Sequence, residues 1–144
     1  MTTNFDAEKH IRNFATLDWE QMFDEEGNLL LGIRGKTGAT EVGQYGEEIG
    51  ADLIEMQPGT AFPLHTHPGD HILYAISGRG TVTIDGSPRQ FAAGFTFYIA
   101  GSYPHNVGTI PGDTEPFTIL AIGHPKKHVS ATDRMHVVET ENHQ

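Results

Sequence analysis

Short apolar and aromatic runs, separated by glycine, proline and aspartate, recur along most of this chain. Runs rich in β-branched and aromatic residues and bounded by such turn residues are typical of β-strands. They predict short strands at residues 29–34, 51–56, 72–76, 81–84, 95–99 and 117–122. With 17 glycines and eight prolines in 144 residues, the chain is predicted to be all-β, a sandwich or barrel of antiparallel strands joined by tight turns.

The segments around these strands are more polar. Residues 1–28 are predicted to form an N-terminal extension with a short helix, residues 29–123 the barrel, and residues 124–144 a polar tail. The glycine-rich segment 35–50 is predicted to be a hairpin or surface loop. Residues 135–138 are a candidate edge strand, or a segment that crosses to a partner subunit.

Trp19 and the histidines of the tail are predicted to have structural rather than functional roles. Trp19 is expected to pack against the barrel or a partner subunit, since aromatic side chains serve packing more often than substrate binding. The histidines of the tail lack the spacing of a strand pair and are predicted to be solvated. They are His124, His128, His136 and His143.

Length and charge restrict the classes of function. A chain of 144 residues predicts one domain with a sizeable core. Its net charge of −10 argues against nucleic acid or an anionic membrane surface as a partner. There is no cysteine, so neither a disulfide nor a thiolate metal site is expected. The first residues lack the apolar core of a signal peptide, and a cytoplasmic protein is expected.

Four of the nine histidines lie in two short segments flanked by turns. His65 and His67 are two residues apart, which places both side chains on one face of a strand. The turn sequence Pro68-Gly69-Asp70 can return the chain so that His71 lies beside them. A single histidine is more often a surface or core residue than a ligand, but this spacing, with His105 in a similar context, predicts a metal site.

The first of these segments is similar to the first motif of the cupin family. That motif consists of glycine, five residues, His-x-His, three or four residues, glutamate, six residues and glycine. Gly59, His65, His67 and Gly78 match its spacing. His71 stands where the family usually has glutamate.

The second segment resembles the second cupin motif in its spacing. Gly94 and His105 are in register, whereas Ala100, Ser102 and Thr109 replace the usual proline, glycine and asparagine. The resemblance implies a single-domain cupin jelly roll that dimerises through its sheets. It also implies one divalent transition metal, bound in a cavity by the four histidines of the two segments.

Imidazole ligands suit Zn, Cu, Fe and Ni, and the metal is expected to be Fe, Mn, Ni, Cu or Zn. Four neutral ligands leave the charge of the metal uncompensated, which favours anionic or chelating oxygen ligands. Metal binding is expected to weaken as pH falls toward about 6.5, where histidine is protonated. Tetrahedral zinc with four histidines would instead be structural.

Side chains near the predicted site give candidates for substrate contacts. Strand parity and proximity to the histidines assign Leu73, Phe97, Tyr103 and Leu120 to this group. No general acid or base is evident, and no catalytic residue is assigned. The sequence therefore favours a metal-dependent oxygenase, dioxygenase-like, acting on a small oxygen-bearing organic substrate. The alternatives are a non-catalytic cupin that binds a small ligand or metal, and a cupin isomerase or epimerase.

Overall fold

Two antiparallel β-sheets face each other across the core of the molecule. The computed structural model describes residues 5–138. The helical elements are α1 (Ala7–His10) and a 3₁₀ turn (Phe14–Thr16). The strands are β1 (Glu20–Phe23), β2 (Leu29–Val42), β3 (Glu48–Met56), β4 (His65–Thr66), β5 (Asp70–Ser77), β6 (Arg79–Ile84), β7 (Ser87–Ala92), β8 (Thr96–Ala100), β9 (His105–Thr109), β10 (Phe117–His124) and β11 (His136–Val137).

The strand order defines the two sheets. One sheet has the order β1-β2-β3-β10-β5-β8, and the other has the order β11-β4-β9-β6-β7. Strands distant in sequence are neighbours in each sheet, as in a jelly roll. The predicted all-β fold class is confirmed, as is the short helix in the N-terminal extension. Neither helical element is long and apolar enough to cross a membrane.

The core consists of the inward-facing alternate residues of both sheets. Along β10, Phe117, Ile119 and Ala121 are buried, whereas the intervening residues are more exposed. Phe117 packs edge-on against Phe91 of the opposite sheet, with 5.0 Å between ring centroids. Gly80 allows this packing, because a Cβ atom there would overlap the Phe117 ring.

The segment 35–42, predicted to be a hairpin or loop, is instead part of the long strand β2. Thr37 is buried and pairs with Asp52 of β3. Gly38 permits close packing, since its Cβ would lie 2.8 Å from the Phe14 ring. A glycine in this segment therefore allows close packing on the sheet and does not mark a loop. Residues 43–47 form the turn between β2 and β3.

Both sheets extend beyond residues 29–123. β1 pairs with β2, and Trp19 lies beside it, with its ring 4.2 Å from the Arg34 guanidinium carbon. At the other end, β11 pairs with β4, which confirms the candidate edge strand. Part of the polar tail packs against the barrel, because Val129 and Met135 are 0% and 5% exposed.

The tail histidines differ from these packed residues. His124, His128 and His136 have side chains that are at least half exposed. They pair with glutamates of the barrel and of its N-terminal extension rather than with one another. His143 lies outside the described residues.

Candidate metal centre

His65 and His105 come together because β4 and β9 are antiparallel neighbours in which these two residues are directly paired. Their ring centroids are 4.4 Å apart. The Nδ1–H of His65 donates to the carbonyl of Pro63, and that of His105 donates to the carbonyl of Tyr103, both at 2.6 Å. These bonds fix the tautomer, so each Nε2 atom keeps a free lone pair for a metal.

His67 completes a group of three. Its backbone N–H donates to the carbonyl of Gly101 at 2.9 Å, which anchors the chain after β4. Gly101 must lack a side chain here, since a Cβ would lie 2.5 Å from Nδ1 of His67. One ring nitrogen from each of His65, His67 and His105 lies within 4.8 Å of the other two. The predicted pairing of the two segments therefore forms a three-histidine cluster.

His71 lies beside this cluster on the opposite sheet. On β5 it pairs with Gly123 of β10 and Ile99 of β8. Its ring lies over Gly123, whose absent Cβ would be 2.9 Å from Nε2. Its Nδ1 is 3.1 Å from Nε2 of His67. The structure thus places His71 next to His67, while the group of mutually close nitrogens contains only the other three histidines.

Burial keeps the four imidazoles neutral. It lowers the pKa of His65 to about 3, that of His67 to about 4 and that of His71 to about 2. Burial also lowers the pKa of His105. In the metal-free protein, His65, His67 and His71 therefore remain deprotonated well below pH 6.5. Neutral, buried imidazoles with Nε2 lone pairs fit a divalent transition metal.

The histidines open into a small cavity of about 50 Å³. Apart from the histidines and Arg134, its wall is apolar and comes from both sheets: Ile54, Phe62, Leu73, Ile99, Val107, Ile119, Ala121 and Met135. Within the described residues this lining contains no aspartate, glutamate or tyrosine. The cavity can thus shelter a small ligand from water, and only histidine is available in its wall to carry a proton.

The predicted substrate residues have different positions. Leu73 is buried in the cavity wall. Phe97 is half-buried and packs against Phe91 in the core, outside the cavity lining. The Tyr103 side chain is 57% exposed. Leu120 has the opposite strand parity from the cavity residues Ile119 and Ala121. Leu73 therefore lies in the cavity wall as predicted, whereas Phe97, Tyr103 and Leu120 lie outside the cavity lining.

Arg134 is the site residue that the sequence did not reveal. It lies in the cavity wall with its side chain 10% exposed. Asp52, on the inward face of β3, lies between Arg134 and Lys126. The sequence indicates this position only through the candidate strand at residues 135–138. Because that strand pairs with the strand of His65, the arginine just before it lies near the histidines.

A match to the Cupin domain family covers residues 52–123, which is half of the chain and includes all four histidines. The chain belongs to the cupin family. A curated relative is dimethylsulfoniopropionate lyase DddW from Ruegeria pomeroyi, with 37% identity over 60 residues. The match covers 42% of this cupin and only 38% of the length of the lyase.

Solved structures show the same fold at low sequence identity. KdgF from Halomonas sp. has a TM-score of 0.64 at 19% identity, covering 81% of this cupin and 94% of that chain. The polyketide cyclase RemF from Streptomyces resistomycificus has a TM-score of 0.65 at 14% identity, covering 99% and 89%. A cupin-2 domain protein from Rhodospirillum rubrum has a TM-score of 0.68 at 16% identity, covering 92% and 82%.

Proposed function

We propose that this cupin is a metal-dependent enzyme, an oxygenase that acts on a small oxygen-bearing organic substrate. The observation that carries the proposal is the cluster of His65, His67 and His105 in a small apolar cavity. The part of the cavity wall that the structure describes has no carboxylic acid or phenol, so acid–base chemistry there would depend on the same histidines that would bind the metal. The cavity is well suited to chemistry that depends on a bound metal.

His65, His67 and His105 would hold the metal through Nε2 lone pairs, and we assign His71 as the fourth ligand. Nδ1 of His71 lies 3.1 Å from Nε2 of His67 in a hydrogen bond. The two nitrogens are therefore close enough to bind one ion once neither carries a proton. A divalent transition metal there would supply Lewis acidity and, if it is redox-active, electrons for reaction with dioxygen.

The remaining residues would bind and shield the substrate. Leu73 and its apolar neighbours would exclude water from the reacting group, which strengthens electrostatic interactions in the cavity. The small volume would restrict the substrate to a short chain. Hydrogen bonds from His65 and His105 to backbone carbonyls would keep the two rings oriented throughout the reaction.

A lyase is the second candidate, because the curated relative is named a dimethylsulfoniopropionate lyase. Elimination requires a group that takes a proton from the substrate. In the described lining only the histidines can do so, and three of them form the metal cluster. A lyase or an isomerase would convert its substrate without consuming oxygen. A non-catalytic cupin would bind its ligand without converting it.

Oxygen consumption by the metal-loaded protein separates these functions. Small hydroxy acids, keto acids and diketones are supplied in turn, and dissolved oxygen is followed together with substrate loss. We expect one substrate class to be lost with equimolar oxygen uptake. Substrate conversion at constant oxygen would contradict the oxygenase and support the lyase or isomerase, whereas binding without conversion would support a binding protein.

We also propose that a second copy of this chain covers the outer face of strands β5, β8 and β10 in the larger sheet. Ile72, Tyr74, Tyr98 and Ile122 are each at least 36% exposed there. Ile72 is paired with both Ile122 and Tyr98 in neighbouring strands. An exposed apolar surface shared by adjacent strands favours a two-fold symmetric dimer.

Sedimentation velocity tests this homodimer. The wild type is expected to sediment as a dimer, and Ile72→Lys as a folded monomer, because the charge would be buried at the centre of the interface. Leu31→Lys is the matched control, since Leu31 is apolar, 77% exposed and outside this surface. A monomeric wild type, or a dimeric Ile72→Lys variant, would contradict the proposal.

A further inference from the structure

Arg134 is held in the cavity wall by the strand that follows it. β11 pairs with β4, with Val137 opposite His65. Met135, next to Arg134, is 5% exposed and also lines the cavity. The arginine side chain therefore lies in the cavity wall with the histidines and is 10% exposed.

The guanidinium group retains unused hydrogen-bonding capacity. Its Nη1 lies 3.5 Å from Asp52 Oδ2 and 3.5 Å from the carbonyl of Lys127, which are long distances for hydrogen bonds. In residues 5–138, no hydrogen bond is found for Nε or Nη2. Arginine carries five N–H donors in a planar fork that matches a carboxylate, so donors remain available for a ligand in the cavity.

The buried charges next to the cavity are not balanced. Lys126 Nζ lies 3.2 Å from Asp52 Oδ1, and both side chains are less than 5% exposed. One carboxylate thus faces two cations, Lys126 and Arg134. Burial raises the pKa of Asp52, which can only reduce the negative charge. Buried charges are normally paired, so a negatively charged ligand would reduce the excess of positive charge next to the cavity.

The rest of the cavity restricts what such an anion can be. The wall facing Arg134 is aliphatic or aromatic apart from the histidines, and the volume is about 50 Å³. A phosphate group would require several further donors in place of these apolar groups. A short aliphatic chain that ends in a carboxylate would satisfy both the arginine and the apolar wall.

We propose that Arg134 is the specificity-determining residue of the site and binds the carboxylate of a short-chain substrate, while the rest of the substrate faces the histidines. The inference rests on the proposed function, because it identifies the substrate class of the same cavity. Arg134 would also orient the substrate, since a planar fork fixes the carboxylate in one direction.

Binding of a carboxylate and its uncharged isostere tests this inference without an activity measurement. Propionate, propionamide and inorganic phosphate are titrated by calorimetry into the metal-loaded and the metal-free protein. The variants are Arg134→Gln, Arg134→Lys and the matched control Arg79→Gln, in which the lost arginine is exposed and pairs with Asp113. Metal content is measured on every sample.

The wild type and Arg79→Gln are expected to bind propionate at least about 10-fold more tightly than propionamide, a difference of about 1.4 kcal/mol. The preference should persist without metal, fall below about 3-fold in Arg134→Gln and be partly retained in Arg134→Lys. Equal binding of acid and amide by the wild type, tighter binding of phosphate, or an unchanged preference in Arg134→Gln would overturn the inference. Absence of metal would contradict the proposed function alone, since the metal-free titration still tests Arg134.

Discussion

The His105→Ala variant is expected to contain less than one tenth of the metal found in the wild-type protein. Four-ligand zinc sites bind with about 10–16 kcal/mol, or about 2.5–4 kcal/mol per ligand, so loss of one ligand weakens binding about 60- to 700-fold. His105 is 2% exposed, and its Nδ1–H bond fixes the Nε2 lone pair in the cluster. Metal content by mass spectrometry, with affinity from chelator competition, measures this effect.

His71→Ala distinguishes a fourth ligand from a mere neighbour of His67. As a ligand, His71 should contribute on the same scale, and we expect metal affinity to fall about 100-fold or more. The matched control is His124→Ala, because His124 is about half exposed and pairs with Glu47. An affinity loss of less than about 10-fold in His71→Ala would limit the site to three histidines. Full metal content in His105→Ala would contradict the cluster itself.

The metal-free protein is expected to lose stability steeply as pH falls from 7 to 5. The pKa values of His65, His67 and His71 are lowered by burial to about 3, 4 and 2, whereas in the unfolded chain histidine titrates near 6.5. Below pH 6.5 the unfolded state therefore binds more protons than the folded state, and the free energy of unfolding decreases. The decrease continues until pH approaches the folded-state pKa values.

The expected loss is about 1–2 kcal/mol per buried histidine at pH 5, or on the order of 5 kcal/mol in total, out of about 5–15 kcal/mol for a typical domain. Urea denaturation of metal-free protein at pH 7 and pH 5 measures it. His65→Gln should reduce the pH dependence by about one proton, with His124→Gln as the exposed control. A free energy of unfolding that is constant between pH 7 and pH 5 would show that the histidines are not buried as neutral groups.

Much of the fold and most of the histidine cluster follow from local sequence patterns. His65 and His67 are brought to one site by strand periodicity, and the spacing of the second segment places His105 beside them. The turn at Pro68-Gly69-Asp70 brings His71 to the same cavity. These features are local, because each depends on a few consecutive residues.

The features that the sequence did not reveal depend on distant contacts. Gly38 lies in a glycine-rich segment that resembles a loop in sequence. In the structure it lies in β2, where a Cβ would be too close to the Phe14 ring. Arg134 occurs in a polar segment, and its burial follows from the pairing of β11 with β4. Leu120 lies on a strand that lines the cavity, but packing of Phe117 in the core gives β10 a parity that places Ile119 and Ala121 on the cavity side.

The metal content of untagged wild-type protein tests the central claim most directly. The three-histidine cluster in a buried, neutral and partly apolar cavity predicts one equivalent of a divalent transition metal per chain. Mass spectrometry of protein purified without chelator or added metal gives this number. A value near one supports the site, and a folded protein with less than one tenth of an equivalent, even after incubation with Fe, Mn, Ni, Cu or Zn, would contradict it.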